Sequence, residues 1–256
     1  MISLYIHRRY IWKNAWLDLR HRYSGTGIGV FWNFINPVLE ILVYTAVFTY
    51  VLSASGRDGP YILYLSAGLL PWKAFADTIL RGSNAFIEHS SHLKRMAVPP
   101  EIFVAKVTLS PTLILFIYLS ILLPTNLLFG NVLGWQIALL PFLALLLQGF
   151  AFGIALVATH LRTFFLDLGE ILPVVLYLWR WTMPIIYADA IIAENVQSWF
   201  HLNPPYVFIQ TIRNIILEQQ APALSEWSLM VGWVLAFFLI GSLVHQKLQS
   251  EIREYI

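Results

Sequence analysis

The sequence predicts an all-α integral membrane protein with six transmembrane helices, an N-terminal amphipathic interface helix and short re-entrant helices before the last span. Three observations carry that reading. The 256 residues are 58% hydrophobic and 12% charged, with a mean hydropathy of +0.68, whereas soluble domains hold roughly 45–50% apolar and about 25% charged residues. The apolar residues gather into stretches near the ~20 that one bilayer crossing takes. Lysine and arginine collect on alternate connections, which the positive-inside rule assigns to the cytoplasm.

Residues 1–27 place Leu4, Ile11, Trp12, Trp16 and Leu19 among Arg8, Arg9, Lys13, Arg20 and Arg22. Basic residues mixed with aromatics suit a helix lying in the cytoplasmic interface, with indoles at headgroup depth. No uninterrupted apolar core is present there, so the segment does not read as a cleaved signal. Gly25-Thr-Gly-Ile-Gly29 lacks the Lys-Ser/Thr ending of a phosphate loop and reads as an elbow.

The predicted spans are 28–52, 61–82, 102–129, 132–160, 168–187 and 227–245. Asn33, Asn36-Pro37 and Glu40 lie in the first, and Pro37 removes a backbone donor. Pro111, Pro124 and Pro141 are candidate kinks in the next pair, which turns at Gly130-Asn131. The fifth span carries Trp179-Arg180-Trp181, where the guanidinium has indole faces, a sugar, Glu40 or Asp77 as possible partners. Residues 188–226 are too polar and proline-rich for a full span and suit short re-entrant helices in the outer leaflet. Irregular backbone at that depth needs cover from protein or water.

The stretch 59–100 organises the chain. Lys73, Asp77 and Arg81 are four residues apart and fall on one face of a helix, the carboxylate between two cations. Each charge in hydrocarbon costs roughly 2.5–3.5 kcal/mol on insertion scales, so these residues imply compensation by a bundle, water or a ligand. The loop 83–100 that follows holds Glu88, His89, His92, Lys94, Arg95 and Pro99-Pro100.

Six spans put both termini on one side with the loops near 81–106 and 161–170. That side carries Arg8, Arg9, Lys13, Arg20, Arg22, Arg81, Lys94, Arg95, Lys106, Arg162, Lys247 and Arg253, against Arg57 and Arg213 opposite. The positive-inside rule therefore puts both termini in the cytoplasm. No cysteine is present, which excludes disulfides and thiolate chemistry. No Walker loop, His-Glu-x-x-His pair or Gly-x-Ser-x-Gly elbow occurs, so neither a catalytic nor a metal site is expected. A chain with intramembrane charges and no energy-converting motif takes its driving force from an ion gradient or a separate ATPase.

Arg20-His-Arg-Tyr23, Gly29-Val-Phe-Trp-Asn-Phe-Ile-Asn-Pro37, Ala67-Gly-Leu-Leu-Pro-Trp72 and His92-Leu-Lys-Arg-Met-Ala-Val-Pro99 form an ordered set of short motifs. Thr163-Phe-Phe-Leu-Asp167, Thr182-Met-Pro-Ile-Ile-Tyr187 and Leu202-Asn-Pro204 continue it. In this order they resemble the ABC-2 type permeases that export O-antigen, capsular polysaccharide and teichoic acid. Leu166 and Pro100 stand where that family often has arginine.

The resemblance implies a homodimer in the bacterial cytoplasmic (inner) membrane, joined to two ABC ATPase subunits, and a long glycan on a polyprenyl diphosphate as substrate. ATP and Mg would be bound by the partner, with no cofactor in this chain. Loop 83–100 would dock on the ATPase, with Glu88, His92, Lys94, Arg95 and Pro99 as coupling residues. Glu40, Lys73, Asp77, Arg81, Trp179 and Arg180 are candidates for the substrate path, and Arg20 and Arg22 for the diphosphate headgroup. Other functions stand beside this one: export of a smaller lipid or drug, a membrane glycosyltransferase using Asp167 and Glu170, or a proton-coupled carrier using Glu40 and Asp77.

Overall fold

A computed structural model describes residues 5–21, 27, 29–51, 60–95, 99–187, 199–200 and 202–255, and among these no strand occurs. The helices are α1 (Arg8–His21), α2 (Trp32–Ala46), α3 (Tyr61–Glu88), α4 (Ser90–Arg95), α5 (Glu101–Leu128), α6 (Leu140–Phe164), α7 (Leu168–Trp181), α8 (Pro204–Arg213) and α9 (Leu224–Tyr255). Short 3-10 turns precede α2 (Gly29–Phe31) and α6 (Trp135–Leu139), and π turns extend α2 (Val47–Val51) and α8 (Asn214–Glu218).

Helix α3 is the centre of the bundle. It packs between α5 and α6, and α2, α7 and α8 also lean on it. Tyr64, Leu65, Leu69, Phe75, Ile79 and Phe86 are all buried along its 28 residues. Helix α9 packs on α6, and α1 lies along α5. Among the described residues, three helical segments are long and apolar enough to cross a membrane: Glu101–Leu128, Trp135–Phe164 and Leu224–Leu248. Helix α3 falls outside that set because Lys73 and Asp77 interrupt its apolar run. Helices α2 and α7 are shorter, at 15 and 14 residues.

The helix ends differ from the sequence reading at several points. Helix α3 runs on to Glu88, so the first residues of the 83–100 loop are its last turns, and α4 follows after His89. Helix α7 stops at Trp181, and Thr182–Tyr187 form turns. Pro141 does not kink a helix; it sits in the first turn of α6, where a missing N–H costs nothing. In the 188–226 region, α8 and its π turn are described, whereas 188–198 and 201 lie outside the described residues. Gly29 has φ +57°, a left-handed conformation that suits glycine, whereas Gly25, Thr26 and Ile28 of the expected elbow lie outside the described residues.

Proline and irregular backbone are tolerated because side chains satisfy the carbonyls they release. Pro37 cannot donate to the Asn33 carbonyl one turn earlier, and the Tyr118 hydroxyl of α5 donates to it instead, at 2.6 Å. The π turn after α8 is held by Asn126, whose side-chain amide donates to Ile216 O at 2.7 Å.

Small residues set the closest helix contacts, as in other membrane bundles. A Cβ on Gly153 of α6 would lie 2.9 Å from the Phe237 carbonyl carbon of α9. Gly153→Val should therefore separate α6 from α9 and lower the yield of folded protein severalfold. Size-exclusion profiles in detergent check this: an unchanged monodisperse yield would show that the contact is dispensable.

Candidate functional site

The charges that the sequence reading places within spans 1, 2 and 5 meet where α2, α3 and α7 converge. Glu40 projects from α2 one turn beyond Pro37 and forms an ion pair with Lys73 of α3. Its other oxygen takes a hydrogen bond from Arg180 Nη1 of α7 at 2.7 Å. Arg180 Nη2 donates in turn to the Tyr44 hydroxyl at 3.3 Å. One carboxylate between two cations leaves the cluster with a net positive charge. Burial is partial, with side-chain exposures of 25% for Glu40, 29% for Lys73 and 11% for Arg180, so the pairs are neither fully dry nor free in solvent.

The face Lys73–Asp77–Arg81 is present on α3, but its cations find carboxylates on other helices. Lys73 turns to Glu40, and Arg81 pairs with Asp18 of α1. The ladder along one helix is thus a set of ties between helices, and Asp18 is a partner that local spacing did not disclose. Lys73 and Asp77 also line a cleft of about 200 Å³, with Trp32, Asn33, Asn36, Pro37, Ala74, Pro111, Ile114 and Tyr118 completing its wall. Amide, ammonium and carboxylate groups beside two aromatic rings can donate to and accept from hydroxyls while packing against C–H faces. That is binding chemistry; the cleft offers no nucleophile paired with a base.

Trp179 and Arg180 take different directions. Trp179 packs edge-on against Trp72 and Phe75 and donates from Nε1 to Asn203 Oδ1 at 2.8 Å. It ties α7 to the start of α8 and is a packing residue in this conformation. Arg180 lies 5.3 Å from the Tyr177 ring and 6.0 Å from that of Trp181 while holding Glu40, so of the partners open to it the carboxylate is the principal one.

A second buried group was not expected. Arg213, at the end of α8, is 1% exposed. It donates to Pro184 O at 3.0 Å and Ile185 O at 3.4 Å, and its guanidinium lies 3.7 Å from the Tyr64 ring. Gly68 leaves the room: a Cβ there would collide with the guanidinium. Tyr61 donates to Ile186 O, and the Tyr64 hydroxyl lies 3.0 Å from Pro184 O. The turn 182–187 is thereby fastened to α3 through its own carbonyls. Its proline, flanked by Met183, Ile185 and Ile186, hinted at irregular backbone, but the distant arginine gave no local signal.

At the opposite end of α3, Glu88 is exposed at the helix terminus. His92, Lys94 and Arg95 lie on α4, and their side chains are outside the described set, as are the side chain of Arg20 and the whole of Arg22. Leu93 anchors α4 in an apolar cluster with Ala85, Phe86, Phe103, Val104, Val107, Ala155 and Leu156. Pro99 and Pro100 then lead directly into α5.

The bundle and its long apolar helices define a multi-pass helical membrane protein, with charges gathered where its helices meet. Its sequence is similar over nearly the full length to O-antigen export system permease proteins RfbA. The Myxococcus xanthus protein is 24% identical over 256 residues, covering 99% of this chain and 98% of that protein. Two Klebsiella pneumoniae proteins are 25% identical over 246 and 206 residues, covering 93% and 78% of this chain and 92% and 77% of their own lengths. No family model matches the chain. The resemblance to ABC-2 type polysaccharide-export permeases drawn from the motifs agrees with these end-to-end alignments.

Proposed function

We propose that the chain is the transmembrane permease subunit of an ABC transporter that exports polyprenyl-diphosphate-linked polysaccharide across the cytoplasmic membrane. The observation that carries this is the end-to-end similarity to O-antigen export permeases. The chain works as a homodimer with two separate ATPase subunits, which hold ATP and Mg, and performs no covalent chemistry itself. Each protomer crosses six times, with α8 re-entering from the outer side and both termini in the cytoplasm. Asp77, Lys73 and the Glu40–Arg180 pair face the glycan path, supported by their convergence beside one polar cleft. Arg20 and Arg22 meet the diphosphate, and Arg81, paired to Asp18, steadies the interface helix above it.

Glu88, His92, Lys94, Arg95 and Pro99 form the ATPase contact. The position of α4, a short basic helix seated by Leu93 between the ends of α3, α5 and α6, supports that role. Lys94→Glu with Arg95→Glu should abolish most co-purification of the ATPase and polymer-stimulated hydrolysis. Unchanged pull-down and unchanged coupled turnover would refute the assignment.

The substrate class is tested with the purified complex in vesicles. Added ATP should move host lipid-linked polymer to the protected side. A complex that moves short lipids and never polymer would replace the glycan with a smaller cargo, and turnover of a sugar donor by the chain alone would make it a transferase.

A further inference from the structure

Three titratable residues that the export reading leaves unassigned meet where α5, α6 and α9 come together beside α4. His160 ends the buried stretch of α6, is fully buried, and lies edge-on to Phe86 of α3. Its Nδ1 is 2.6 Å from Leu156 O, one turn back, so Nδ1 carries hydrogen. Its Nε2 faces His245 Nδ1 of α9 at 3.1 Å. The other nitrogen of His245, Nε2, lies 3.1 Å from a carboxylate oxygen of Glu101, the first residue of α5. Exposures of 13% and 14% for the His245 and Glu101 side chains keep this contact largely out of solvent.

The hydrogen between the two rings is donated by one nitrogen and accepted by the other. The result is a contact chain, Glu101 to His245 to His160 to the α6 backbone, crossing three helices.

Its location gives it a use. Glu101 directly follows Pro99-Pro100, the rigid exit from α4, and one turn further on Lys106 Nζ lies 3.0 Å from His89 Nε2 at the end of α3. Helix α4 is continuous with α3 through His89, and Leu93 shares its apolar cluster with Ala155 and Leu156 of α6. Helix α9 meets that cluster at Gly241, beside Leu156, and at Phe238, beside Phe152. The His245 link adds a polar contact from the start of α5 into α9.

Resting on the export reading, we propose that Glu101, His245 and His160 are positioning residues that couple movement of the ATPase-docking segment to α6 and α9. Energetic coupling needs a contiguous network whose two ends are both biased by the partner, and this chain joins the docking segment to the two helices that share the Gly153 contact.

The test uses the complete complex with its ATPase, comparing wild type with His245→Gln, Glu101→Gln and the double variant at equal complex abundance. ATP hydrolysis and polymer movement are measured on the same vesicles. The expected result is hydrolysis within about twofold of wild type and a fall of about fivefold or more in polymer moved per ATP in each single variant. The double variant should lose no more than either single, as expected for residues in one network. His245→Lys, whose ammonium can pair with the Glu101 carboxylate, should recover part of the ratio. An unchanged ratio, or additive losses in the double variant, would overturn the clasp. A fall in complex abundance with the ratio intact would assign the residues to folding alone. A wild-type complex that hydrolyses ATP without moving polymer would instead overturn the export reading, and the clasp with it.

Discussion

Replacing Glu40 with alanine should cost the protein about 2–3 kcal/mol of stability and reduce surface polymer by tenfold or more. Breaking a buried ion pair by removing one partner costs about 3–5 kcal/mol, because the abandoned charge stays desolvated; the 25% exposure of Glu40 argues for the lower figure. Here two cations are abandoned together, Lys73 and Arg180, and α7 loses its charged tie to α2 while the Arg180–Tyr44 hydrogen bond stays. Adding Lys73→Met to the alanine variant should restore part of the stability by removing one stranded charge. Thermal unfolding in detergent and quantification of surface polymer check both halves. Wild-type stability and wild-type export in the single variant would remove the cluster from the account.

Arg213→Met should be as damaging, although the residue sits on no predicted path. Methionine fills much of the volume but leaves Pro184 O and Ile185 O without their guanidinium donors. An unsatisfied buried carbonyl costs about 1–3 kcal/mol; Ile185 O loses the guanidinium, Pro184 O keeps the Tyr64 hydroxyl, and the fastening of the 182–187 turn to α3 then rests on Tyr61 and Tyr64. Lysine keeps the charge but not the planar fork, so Arg213→Lys should recover less than half of the loss. Limited proteolysis of the 182–203 segment is the direct readout. Faster cleavage in both variants is expected, and an unaltered pattern would show that the turn holds without the arginine.

The helical architecture was legible because composition and apolar run length report the solvent directly. The long apolar helices α5, α6 and α9 lie in stretches read as spans, although α6 begins only at Leu140, after a 3-10 turn, and α9 begins at Leu224 and runs through the tail. The central role of 61–88 was also readable, since an apolar stretch with four charges can only be held inside a bundle. Partners were harder. Local spacing suggested that Asp77 sits between Lys73 and Arg81, yet both cations reach carboxylates 33 and 63 positions away. Helical periodicity reports which residues share a face and says nothing of what that face meets. Arg213, counted among outer-loop cations, is buried because distant carbonyls and a tyrosine ring stabilise it. His160, His245 and Glu101 carried no motif, and only packing brings them together.

The substrate assignment is the central claim, and the location of lipid-linked polysaccharide after deletion of this gene in its host tests it most directly. Finished polymer trapped on the cytoplasmic face, absent from the surface and restored by the wild-type gene, is the expected result. Normal surface polymer in the deletion strain, with no second exporter present, would contradict the account.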